Sequence, residues 1–207
     1  MRGIILIFIF LLIVLASGIA TYIRTQPVSA NNAHAAILRE SLPVQATRFE
    51  KAFANLIKEE GGYCDHPNDK GGETKYGISK RSYPHLDIKN LTLDQAKEIY
   101  KKDFWLPIHG DELPSDELAC EALEQSVNMG IKTAVSFMQV VCVAEGSIDM
   151  VVDGKMGKQT LQALNRIAPS FTLVAIRALA IAHYLKLARE EPPMKVFLKG
   201  WIKRVTS

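Results

Sequence analysis

The chain opens on an unbroken apolar run. From Gly3 to Ile23 no charged residue interrupts IILIFIFLLIVL and its neighbours, and no later stretch matches it. A helix rising about 1.5 Å per residue over that length crosses a hydrocarbon core of roughly 30 Å. Arg2 and the amino terminus precede the run and Arg24 follows it, a bias that favours a single pass with the amino terminus inside. Small residues at Ala16-Ser17-Gly18-Ile19-Ala20 also suit a cleavage site, so a cut signal peptide stays open beside a retained signal-anchor. Either reading exports the rest of the chain. Segment LASGIAT is weakly apolar and leaves later release from the membrane open as well.

Beyond residue 24 the pattern changes twice. Residues 25–45 are small, polar and punctuated by proline, as in a tether. From residue 46 the apolar positions recur at helical spacing. Phe49, Phe53, Leu56 and Ile57 stripe ATRFEKAFANLIKEE, and Gly61-Gly62 stop it. A polar, glycine-rich loop with room for a short hairpin follows. TLDQAKEIYKKDFW opens with Thr92 and Gln95 at capping-box spacing. Ser115 starts a helix that ends at Gly130, and IKTAVSFMQVVCVA runs to Gly146. After the turn IDMVVDGKMG come a short helix around KQTLQALNRI, a long one in SFTLVAIRALAIAHYLKLARE and a last one in MKVFLKGWIKRV. The fold class expected is mainly α, an α+β lysozyme-like body with a small loop or hairpin lobe. The domains expected are a membrane helix at 1–24, a linker at 25–45, a catalytic half at 46–130 and a helical binding module at 131–207.

Composition narrows the function classes. Of 207 residues, 25 are basic and 22 acidic, a net charge of +3 too mild for nucleic-acid binding. The three cysteines, Cys64, Cys120 and Cys142, have no CxxC spacing, which excludes a full disulfide framework and a zinc site of that kind. His66 beside Asp65 fits no zinc pattern, and the loop acids do not match a calcium loop. No metal or cofactor is expected, and a monomer is.

The chemistry is concentrated in EEGGYCDHPNDKGGETKYG. Glu60 lies four residues after Leu56 and three after Ile57 and continues the apolar stripe, whereas Glu59 is in step with Lys51 and Asn55. A carboxyl at the end of an apolar stripe loses water and stays protonated to higher pH. Cleavage of a glycosidic bond needs such an acid. Downstream, Asp65, Asp69, Glu73 and Thr74 supply groups able to hold water, or a merely solvated loop.

EGGYCDHPNDKGGETKYGIS resembles the opening motif of glycoside hydrolase family 108, EGGY, an aspartate, then GGxTxxGI. AKEIYKKDFW and LEQSVNMGIKTAVSFMQ are similar to the segments that follow it there. DGKMGKQTLQALN with FLKGWIKRV resembles the peptidoglycan-binding module that accompanies the family. The resemblance covers most of residues 46–204 and implies a lysozyme-like N-acetylmuramidase of the phage endolysin type, acting on peptidoglycan. It makes Glu60 the general acid. It puts Asp69 and Thr74 where phage-type lysozymes carry an aspartate and a threonine, although the gap between the two is one residue short. Tyr76 belongs with them beside the loop. Tyr63, Trp105 and Asn128 are further candidates for substrate contact. The implied place of action is the periplasm, with residues 3–23 in the inner membrane. Two alternatives keep the fold: a bacterial muramidase that opens the wall for protein secretion, and an inactive peptidoglycan-binding protein.

Overall fold

The computed structural model describes residues 46–59, 63 and 72–206. The apolar amino-terminal run and the tether lie outside the described residues. Helix α1 (Arg48–Glu59) starts on a reciprocal capping box that the sequence reading did not pick out. The Thr47 amide donates to Glu50 Oε2 at 2.8 Å, and the Glu50 amide donates to Thr47 Oγ1 at 3.2 Å. A short hairpin follows, β1 (Thr74–Lys75) antiparallel to β2 (Ile78–Ser79). Helix α2 (Leu93–Tyr100) carries the expected Thr92–Gln95 box with both bonds made.

Helix α2 does not continue as a regular helix to residue 105, as its apolar pattern predicts. It widens into a π-turn, Lys101–Trp105, closed by the Leu106 amide donating to Lys101 O at 2.9 Å. One extra residue in the turn brings Trp105 onto the same inner face as Tyr100, and both are fully buried. A 3-10 turn at Gly110–Glu112 then leads into α3 (Asp116–Met129), whose N-cap Ser115 accepts from the Leu118 amide.

Gly130, at φ 86°, ends α3 and starts α4 (Ile131–Ala144), so the two helices meet at one residue. A left-handed glycine there reverses the chain without a Cβ penalty. Short α5 (Lys158–Leu164), long α6 (Pro169–Glu190), a 3-10 stretch (Pro192–Phe197) and α7 (Leu198–Thr206) complete the chain. Residue 194 thus belongs to the 3-10 stretch, not to the last helix.

One buried cluster runs from Phe49 and Leu56 of α1, through Tyr100, Trp105, Leu118 and Leu123, to Met138, Leu164 and Ile176. The two halves share a core. A smaller cluster seats α7 on the end of α6, where Trp201 stacks on Tyr184 with centroids 4.8 Å apart. Helix α6 is long and apolar enough to cross a membrane, with a mean hydropathy of 1.5. Its packing against α3, α4 and α7, and the ion pair it makes at its centre, account for it as a core helix.

That ion pair joins the halves. Glu121 on α3 is 3% exposed, and its Oε2 accepts from Arg177 Nε on α6 at 2.6 Å. Replacing Arg177 by Met leaves a buried carboxylate without its cation. We expect a loss of about 3 kcal/mol in urea unfolding, the lower end for such pairs, because the Arg177 side chain is 35% exposed.

Glu50 yields a pH prediction. The Lys97 ammonium at 2.8 Å, then the Thr47 amide, lower its pKa from 4.5 to about 2. A depressed carboxylate contributes stability above its unfolded pKa and loses it as pH falls through the folded one. The wild type should therefore lose this share between about pH 4.5 and 2. Glu50→Gln, which can still accept at the cap, should show a shallower fall in melting temperature over that window.

Candidate active site

Of the residues singled out in the sequence, Glu60 and Asp69 lie outside the described residues, as do Cys64, Asp65 and His66. Thr74, Tyr76, Tyr63, Trp105 and Asn128 are placed. The structure brings Tyr63, Thr74 and Tyr76 to one region, around the hairpin.

The hairpin is built by its turn. Tyr76 (φ 51°) and Gly77 (φ 75°) are both left-handed, as a two-residue primed turn requires. Glycine accepts this conformation freely; tyrosine does so at a cost. Two contacts offset it. The hydroxyl of fully buried Tyr100 donates to Tyr76 O at 3.0 Å, and Lys75 Nζ sits 5.5 Å from the centre of the Tyr76 ring. Tyr76 also packs partly against the core.

Thr74 pairs with Ser79 across the hairpin, and the Lys80 amide extends the ladder to Glu73 O at 2.8 Å. The Thr74 hydroxyl donates to Gly72 O at 3.2 Å and is half-buried. A hydroxyl held by a carbonyl still has lone pairs to accept from water or substrate. Tyr63, 43% exposed, donates its hydroxyl to Glu73 Oε1 at 3.0 Å. This bond links the residue three past Glu60 to the residue before Thr74. Beyond β2, Tyr83 donates to Asp103 Oδ2 at 2.9 Å. Burial, reinforced by the Asp103 carboxylate, pushes the Tyr83 hydroxyl above its ordinary range.

Trp105 does not meet substrate. It is 0% exposed, its Nε1 donates to Asp111 Oδ2 at 3.1 Å, and it lies against Phe49 with centroids 5.4 Å apart. Gly110 closes over it so tightly that a Cβ there would fall 2.4 Å from the indole. The extra residue of the π-turn turned this ring inward. Asn128 is exposed, and its Oδ1 accepts from Arg204 Nη1 at 3.2 Å, a tie between α3 and α7.

Two residues that hold the region escaped the sequence reading. Tyr100 could have been found only as part of the α2 stripe. Arg48 donates to the carbonyls of Leu113 at 2.6 Å and Asp111 at 3.2 Å and pairs with Asp116 at 2.8 Å, fixing the connection that carries Gly110. Nothing in its sequence context distinguishes it from a surface arginine. Among the described residues no cluster of metal-ligating side chains occurs, and Cys120 and Cys142 are free thiols, the latter raised by burial to about 11.

Tyr100→Phe leaves the Tyr76 carbonyl without this donor. We expect a loss of about 1 kcal/mol in global stability, with faster hydrogen exchange at the amides of residues 74–80 than in α4.

Comparison with known proteins gives the affiliation. Residues 53–130 match the model of the glycosyl hydrolase 108 family, and residues 133–206 match a predicted peptidoglycan domain. Among solved structures, that of Brucella abortus SagA is similar at 30% identity and a TM-score of 0.63, over 76% of this chain and 89% of its own. No curated protein matches the chain. With catalytic and wall-binding matches in tandem, the chain belongs to the glycosyl hydrolase 108 family and is a glycoside hydrolase acting on peptidoglycan.

Proposed function

We propose that the chain is an N-acetylmuramidase that cleaves the β-1,4 bond between N-acetylmuramic acid and N-acetylglucosamine, with Glu60 as general acid. The observation that carries this reading is the buried face of α1. Phe49, Ala52, Phe53 and Leu56 are all buried, while Lys51 and Asn55 are exposed. Helical steps from Leu56 and Ile57 lead to Glu60, and steps from Lys51 and Asn55 lead to Glu59. Desolvation keeps such an acid protonated for delivery to the leaving oxygen. Asp69 and the Thr74 hydroxyl hold the water that attacks the anomeric carbon. Tyr63 joins this loop to the hairpin through Glu73. The catalytic domain spans residues 46–130 and the binding module residues 131–207.

Residues 3–23 export the enzyme and hold it at the inner membrane as a single-pass anchor, with the catalytic body in the periplasm as a monomer. In that position it serves as an endolysin for host lysis. A second reading has the same chemistry in a bacterial enzyme that opens the wall for a secreted protein. The bacterial source of the similar solved structure favours it.

The test is digestion of purified peptidoglycan followed by mass analysis of the fragments. Wild type should release fragments with reducing-end N-acetylmuramic acid. Glu60→Gln should slow release by at least about a hundredfold, as expected for loss of a general acid. Glu59→Gln should stay near wild type. Equal activity of Glu60→Gln would remove the assignment, and reducing-end N-acetylglucosamine would move the cleaved bond.

A further inference from the structure

Away from the hairpin, the surface carries a cleft of about 650 Å³ built by both halves. His109 and Glu112 line it from the connection between α2 and α3. Lys158, Gln162, Asn165 and Arg166 line it from α5 and just beyond, with Leu161 as an apolar floor. Its volume lies within the range of small-ligand sites. An adjoining hollow of about 210 Å³ shares Gln162 and Arg166, so Arg166 stands where the two meet.

The wall on the catalytic side is held in a costly conformation. His109 is left-handed at φ 52°, which a non-glycine residue keeps only when its surroundings enforce it. Its Nδ1 lies 2.7 Å from Glu112 Oε1, and the Glu112 amide donates to His109 O at 2.8 Å. The Glu112 charge is thereby directed at the imidazole of His109. Across the cleft, Lys158 and Arg166 are exposed, and among the described residues no carboxylate lies within ion-pair range of either. Asn165 donates its Nδ2 to Leu161 O at 2.8 Å, which leaves its Oδ1 to accept from a ligand. Gln162 offers an amide of both polarities.

Among the described residues no tryptophan, tyrosine or phenylalanine lines the cleft. The apolar face of a pyranose would find none of the large rings it stacks on, and the one imidazole, His109, is engaged by Glu112. Two cations beside amides instead match carboxylates and peptide groups, and a guanidinium takes a carboxylate with two parallel bonds. We propose that this cleft binds the peptide part of peptidoglycan, a short stem bearing free carboxylates, with Arg166 and Lys158 on the carboxylates. The proposal rests on the reading of the chain as a peptidoglycan hydrolase and assigns that substrate's peptide to a cleft whose lining includes no residue of the hairpin.

The test is calorimetric titration of the whole chain with the tripeptide L-alanyl-γ-D-glutamyl-diaminopimelate and with its carboxyl-amidated form. Hydrolysis of peptide-free glycan strands is assayed in parallel. Wild type should bind the tripeptide, and the K158Q/R166Q variant should bind it at least about tenfold more weakly. The amidated form should bind weakly to both. Both positions are exposed, so the variant should melt like wild type and cleave peptide-free strands within about twofold of it. Equal tripeptide binding by the variant, or equal binding of the amidated peptide, overturns the proposal. So does a wild type that cleaves strands but does not bind the tripeptide; that result leaves the Glu60 reading standing. Charge-dependent tripeptide binding by a wild type that cleaves neither these strands nor whole peptidoglycan keeps the cleft and removes the Glu60 reading.

Discussion

A carboxylate with 3% of its surface exposed has exchanged nearly all its water for protein, and Glu121 makes that exchange at the centre of α3. Arg177 takes one oxygen at 2.6 Å and Gln125 Nε2 the other at 2.8 Å. The geometry favours one register of α6 on α3, because a slip by one residue would carry the guanidinium off the carboxylate and leave Glu121 desolvated without its cation. Ile176 and Ala180, fully buried on either side of Arg177, then pack in the layers this register sets. The cost is visible at Gln125, whose Oε1 is buried with no hydrogen-bond partner among the described residues.

Helix α3 transmits that register toward the hairpin. At its other end Asp116 holds Arg48 and Lys51 of α1, and Arg48 in turn gathers the carbonyls of the connection before α3. Trp105 fills the space between, roofed by Gly110 and tilted against Phe49. The same inner face of α2 presents Tyr100 to the hairpin carbonyl. A left-handed tyrosine in a two-residue turn is thus enforced from a core that begins with a buried ion pair on the far side of α3.

The elements were legible wherever local chemistry decides them. Thr92 and Gln95 close their box, Ser115 caps α3, and Gly130 divides two helices, because caps and left-handed glycines act within four residues of themselves. Trp105 was legible only as an aromatic on a helical stripe. Its direction depends on one extra residue in a π-turn, which no periodicity of 3.6 encodes. The Glu121–Arg177 pair spans 56 positions, and the clamp of Arg48 on Leu113 spans 65. Such partners are set by the tertiary packing and leave no local pattern. Within the candidate site, spacing pointed to Glu60, which lies outside the described residues, whereas nothing in the sequence marked the positive φ that places Tyr76 in the hairpin turn.

The shared core also decides what a second contact with the wall can achieve. A binding module on a flexible linker raises the local concentration of polymer and leaves the register of the bond at the active site free. Here Gly130 joins α3 to α4 with no linker, and one buried cluster runs through both halves. Gln139 shows how firmly the second half is built: its Oε1 accepts from the Gly154 amide at 2.8 Å and its Nε2 donates to Asp153 Oδ1 at 2.9 Å. Gly154 has no room for a Cβ, which would fall 2.5 Å from the Lys132 side chain. A carboxylate-bearing peptide seated between His109 and Arg166 would therefore be held at a set position relative to the hairpin. Fixed spacing would select which bond of the glycan is presented, so peptide recognition at this cleft would act as a ruler more than as a tether.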